Sequence, residues 1–146
     1  MRSFMLLLLL IASGPVVADW QRLANSGNGD VVWLYEPDEV RRSGAIVEVW
    51  VKVTGEGFKK VVLDDYRRRG APRTMIDTFD KIVSYSFDQW QIDCKVWTMQ
   101  LLHSSTYDAQ GGPFDSMPTR VLSSDRATAI PPDSLMHRAA RKLCNP

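Results

Sequence analysis

The sequence is poor in the groups from which most catalytic and cofactor sites are built. It has two histidines and two cysteines among 146 residues, so a structural zinc site, which draws on clustered Cys and His, is not expected. A nucleophile activated by a histidine base would have to use His103 or His137, and neither stands in a recognisable nucleophile motif. Glycine-rich phosphate loops are missing too. Gly27-Asn28-Gly29 runs into β-branched residues, whereas the phosphate-binding fingerprints require a helix start after the glycines. The pattern therefore names no catalytic residue, no metal ligand and no cofactor. The remaining chemistry is carboxylate pairing. Asp64-Asp65, Asp77 and Asp80 concentrate acid in one stretch, which would serve a small hydrolase only if two of them faced each other across a cleft.

A membrane-spanning run is also lacking. Residues 4–11 are continuously apolar, well short of the roughly 20 residues a helix needs to cross a bilayer. With Arg2 before this run and Val16-Val17-Ala18 after it, residues 1–18 read as a secretory signal peptide cleaved after Ala18, leaving residues 19–146 as one domain. No cysteine stands at the cleavage point, the first being Cys94, so neither lipidation nor a stable membrane anchor is expected. Export sends the chain to the periplasm, the cell surface or the medium. In such an oxidising compartment Cys94 and Cys144 are most simply read as one disulfide, contributing about 4 kcal/mol by loop closure.

An excess of one charge sign is the last absence. The chain carries 18 basic and 17 acidic residues, and Arg2 is the only charge in residues 1–18. The mature domain is formally neutral, which argues against a nucleic-acid binder of the wholly basic type.

What is present is strand pattern. Residues 31–36 are β-branched and aromatic after a turn-rich stretch at 25–30, and residues 19–24 supply a short partner. Residues 45–54 alternate, with Ala45, Val47, Val49, Val51 and Val53 on one face and Glu48, Trp50, Lys52 and Thr54 on the other. One face is core and the other half wet, as in an antiparallel sheet covered on one side. Residues 58–80 read as an extended loop with a short helical turn, because 64–73 are polar and charged. Strand character resumes over 81–90, and 91–107 form a long apolar run that must bend or twist. Glycine at 111–112 marks a hairpin, with 113–122 returning as a strand weakened by Pro118 and 125–130 adding a last short one.

After Pro131-Pro132-Asp133-Ser134, residues Leu135, Met136, Ala139, Ala140, Leu143 and Cys144 recur at helical spacing, and Arg138, Arg141 and Lys142 suit the negative end of the dipole. The expected fold is α+β, an antiparallel sheet of about five or six strands with one C-terminal helix packed on it. Cys144 lies on the apolar stripe, so a bridge to Cys94 would pin the helix to the sheet.

The order of these features resembles the surface-adhesin protein E family of Gram-negative bacteria. Trp20, residues 31–36, Val47-Glu48-Val49-Trp50-Val51-Lys52, Asp93-Cys94, Tyr107-Asp108-Ala109-Gln110-Gly111 and Ile130-Pro131-Pro132-Asp133-Ser134 through Cys144 carry the likeness. It implies a mainly antiparallel sheet with a C-terminal helix across one face, and attachment to host matrix and plasma proteins such as vitronectin and laminin. Two departures stand out: the lipid-bearing cysteine of the surface lipoprotein is missing, and residues 58–80 do not match the family pattern, so no binding residue carries over through them.

Between positions 58 and 82, Lys59, Lys60, Arg67, Arg68, Arg69, Arg73 and Lys81 outnumber Asp64, Asp65, Asp77 and Asp80 by three. Basic clusters of this kind recognise anionic polymers. The expectation is a non-enzymatic exported binding module for a protein or an anionic polysaccharide, with Arg67, Arg68, Arg69, Arg73, Trp50 and Trp97 as contact residues. Its rivals are a periplasmic accessory or structural envelope protein and a small hydrolase using the acidic loop.

Overall fold

The computed structural model describes residues 19–114 and 126–145. The expected signal peptide, and most of the return strand expected at 113–122, lie outside these residues; of its described part, Pro113 forms an isolated bridge to Tyr107 and Phe114 N donates to the Thr106 carbonyl. The fold is α+β. Among the described residues a seven-stranded sheet runs β1 (Gln21–Asn25), β2 (Val32–Tyr35), β4 (Ile46–Thr54), β5 (Val83–Asp93), β6 (Thr98–Asp108), β7 (Thr128–Ala129), with β3 (Arg41–Ser43) beside β4. Every pairing is antiparallel. The valine alternation of β4 sets the faces: Val47, Val49, Val51 and Val53 are all at most 4 % exposed. Opposite them on β5 stand Ile92, Trp90, Asp88 and Ser86. Met99, Leu101, Ser104 and Thr106 of β6 continue the row, with Leu102 as an extra residue where the register steps between Gln89 and Trp90.

Among the described residues three α-helices lie on this valine face: α1 (Glu56–Arg68), α2 (Arg73–Ile82) and α3 (Leu135–Cys144). The expected loop at 58–80 is thus corrected to two helices. Phe58, Leu63 and Tyr66 of α1 and Ile76 and Phe79 of α2 are buried, a helical periodicity that the charged stretch between them masks. Those charges serve the helix, because Lys60, Asp64, Asp65 and Arg67 through Arg69 pair at spacings of three and four. Gly70, at φ 72°, ends α1 with Gly70 N donating to the Arg67 carbonyl and Ala71 N to that of Tyr66, the Schellman arrangement. Gly55 is obligatory for a different reason. It sits at φ 105°, and a Cβ there would fall 2.0 Å from the carbonyl oxygen of Asp30.

The run expected to bend over 91–107 instead reverses, since β5 ends at Asp93 and β6 starts at Thr98. Asp93 accepts from the backbone of Lys95 and Val96, and Trp97 at φ 55° completes the turn. Ile92 and Met99 consequently face each other on the covered side.

At the other end, Ser134 caps α3 by accepting from His137 N at 3.0 Å. Arg42 donates to the Leu143 carbonyl and Lys142 to that of Arg22, holding α3 against the strand edges. Cys94 and Cys144 form a disulfide with Cα atoms 5.5 Å apart, tying the end of α3 to the β5–β6 turn. The bond points to a non-cytoplasmic location. Among the described residues no helix is long and apolar enough to cross a membrane.

Candidate functional site

Arg67, Arg68, Arg69 and Arg73, singled out from sequence, lie where α1 ends and α2 begins. Arg67 lies 2.9 Å from Asp64, Arg68 3.3 Å from Asp65 and Arg69 2.7 Å from Asp65, while Lys60 reaches Asp64 at 2.8 Å. Much of the local positive charge is answered within α1 itself. Arg73 opens α2 and is exposed. The same contacts bear on the acidic stretch: the Lys60 hydrogen bond and the neighbouring Arg67 hold the Asp64 carboxyl below its ordinary value, opposite to the direction a general acid requires. Asp77 and Asp80 are exposed on α2.

Strand alternation also divides the residues from which a hydrolytic triad could be drawn. Ser104 Oγ donates to Asp88 at 2.6 Å on the covered face, whereas His103 Nε2 pairs with Ser105 Oγ at 2.8 Å on the other. The sheet stands between acid and base. Among the described residues, no group of three or more His, Cys, Asp or Glu side chains is arranged to hold a metal ion.

No family model matches the chain, and no curated protein matches it.

The two tryptophans have different roles. Trp97 is half-buried, leaning on His137 with ring centres 5.5 Å apart and on the core, and it braces the turn. Trp50 is 40 % exposed on the face without helices, edge-on to His103 with ring centres 5.7 Å apart. It borders an aromatic strip that sequence reading overlooked. Trp20 and Phe87 lie 5.5 Å apart, Tyr85 meets Phe87 at 5.5 Å and stacks on Tyr107 at 5.3 Å. Part of the signal was available, because Lys52 shares the wet parity of β4 with Trp50 and Tyr85 shares one parity with Phe87; that Lys52 pairs directly with Phe87 was not.

Lys52 places its ammonium 4.3 Å from the Tyr85 ring centre, a cation–π contact. Beyond it the strip opens into a depression of about 520 Å³ lined by Lys52, Lys59, Lys81, Tyr85 and the start of α1. Among the described residues none of these three lysines makes an ion pair. The surface thus joins flat aromatic rings to cationic groups beside the start of α1.

Proposed function

We propose that this chain is a non-enzymatic extracytoplasmic binding module, adhesin-like in type, that recognises an anionic polysaccharide or the acidic surface of a matrix or plasma protein through the open face of its sheet. The observation that carries the reading is the position of Lys52, over Tyr85 and at the junction of the aromatic strip with the three-lysine depression. Rings supply flat apolar area at little entropic cost, and lysines supply charge. The resemblance to the surface-adhesin protein E family and the disulfide support the same reading. The paired arginines of α1 are secondary contacts in it.

The test is retention of the purified mature domain on immobilised heparin as a function of salt. The parent should be retained and should elute as salt rises, because exposed contacts are screened over a Debye length of about 8 Å at physiological ionic strength. Replacing Lys52, Lys59 and Lys81 together by Ser should lower the eluting salt concentration more than replacing Arg67, Arg68 and Arg69 by Ser. Failure of the parent to bind both heparin and vitronectin overturns the proposal. Protease treatment of intact producing cells checks the location: a protected pool would make the domain a periplasmic accessory protein instead.

A further inference from the structure

On the covered face, α1 and α3 do not close over the sheet completely. Between them lies a cavity of about 250 Å³, walled by Val31, Trp33, Val53, Phe58, Leu101 and Met136, among other apolar side chains, with Val61, itself 63 % exposed, where it meets solvent. Its floor departs from this character. There β5 and β6 place Ser86, Asp88 and Ser104 side by side, with Thr106 opposite Ser86 and the pair Trp90 and Leu101 next along the row. Ser86 is 1 % exposed and its Oγ has no hydrogen-bond partner of good geometry. Asp88 accepts from Ser104, but among the described residues it makes no ion pair with any Lys, Arg or His. Among the described residues it is also the only titratable side chain lining the cavity. Buried polar groups are ordinarily satisfied, and a carboxylate met by serine hydroxyls with no cation beside it keeps acceptor capacity for a further donor and lacks a counter-charge.

We propose that this cavity is a binding site for a small amphipathic amine, its apolar body between α1 and α3 and its ammonium against Asp88 and the Ser86 hydroxyl. The chemistry follows from the lining. An ammonium donates three hydrogen bonds and neutralises a carboxylate, and a cavity of about 150 Å³ accommodates benzene, so this one takes roughly eight to ten carbon atoms in proportion. A carboxylic acid would set like charges together, and an alcohol would satisfy the hydroxyl without meeting the charge.

Burial raises the Asp88 pKa to about 6, with the Ser104 hydrogen bond, the nearby Ser86 hydroxyl and the charge of His103 behind the sheet pulling it back. The group is thus ionised at pH 7.5 and available to a cation. The experiment titrates the mature domain with octylamine, octanol and octanoate at pH 7.5, reading fluorescence of Trp33 in the wall and heat of binding. Octylamine should bind at least tenfold more tightly than octanoate, with octanol between them. Asp88→Asn should remove at least tenfold of the octylamine affinity while leaving octanol nearly unchanged. Ser86→Ala, which removes one hydroxyl without adding volume, should weaken both octylamine and octanol. Absence of binding by all three probes, equal binding of octanoate and octylamine, or an octylamine affinity unaffected in both variants would overturn the assignment.

Discussion

The two faces of the sheet are built from the same strands and differ in what alternation delivers to each. Toward the helices go Val47, Val49, Val51, Val53, Ile92 and Met99, each at most 4 % exposed; away from them go Lys52, Tyr85, Phe87 and Tyr107, none of them fully buried. The covered side excludes water and supplies stability. The open side keeps its rings half wet, where the same apolar area is available to a partner. Asp88 and Ser86 break the rule on the covered side and Phe87 strains it on the open one, and both breaches lie on β5, the strand that also forms the floor of the cavity.

Matched truncations test the contrast. Phe79, which is fully buried and packs edge to face on Tyr66 at 5.2 Å and Phe114 at 5.8 Å, should cost about 3–5 kcal/mol on replacement by Ala, read by urea unfolding. Next in size is the covalent tie. Cys144→Ala should cost about 2–5 kcal/mol by releasing the 50-residue loop to Cys94, and reducing agent should lower the parent's midpoint without moving the variant's.

Asp88 sharpens the comparison from the other direction. Its folded-state pKa of about 6 lies above the ordinary carboxyl value, so the folded state binds the proton more tightly. The contribution is fully present below about pH 4 and is lost as pH rises through 6, by at most about 3 kcal/mol. That figure is an upper bound, because the cavity gives water a route to a side chain that keeps some accessible surface. Asp88→Asn should flatten the fall in stability between pH 4.5 and 7.5 and leave the variant more stable than the parent at the upper end. A parent whose stability rises over that interval would contradict the burial argument. The smallest effect belongs to the open face: Trp50→Ala should change stability by less than about 0.5 kcal/mol and, on the proposed function, lower the salt concentration that elutes the domain from heparin. Were it to cost as much as Phe79→Ala, the open face would be part of the core.

Period-two alternation in residues 45–54 and the helical stripe after Pro132 were legible because each pattern has one dominant periodicity and clear stops. The disulfide was legible because compartment and number left one pairing. The helices α1 and α2 were not, since a stretch such as Asp64 to Arg69 is polar on its exposed face, and its helical nature shows only when Phe58, Leu63, Tyr66, Ile76 and Phe79 are read together across it. Trp97 was assigned to a surface because residues 91–107 read as one continuous run, which in fact turns at residues 94–97.

Local sequence by itself determined which residues can lie on one face of β4, where α3 starts and that two cysteines were available to bond. Only the tertiary structure decided that Asp88, Ser86 and Ser104 meet beneath a gap between two helices, and that Lys52 lies over Tyr85. The physical reason is range. Alternation and capping are set by neighbours a few residues away, whereas the burial of a carboxylate and the company of an ammonium depend on strand pairs such as Val51 with Asp88 and Lys52 with Phe87, which chain proximity does not encode.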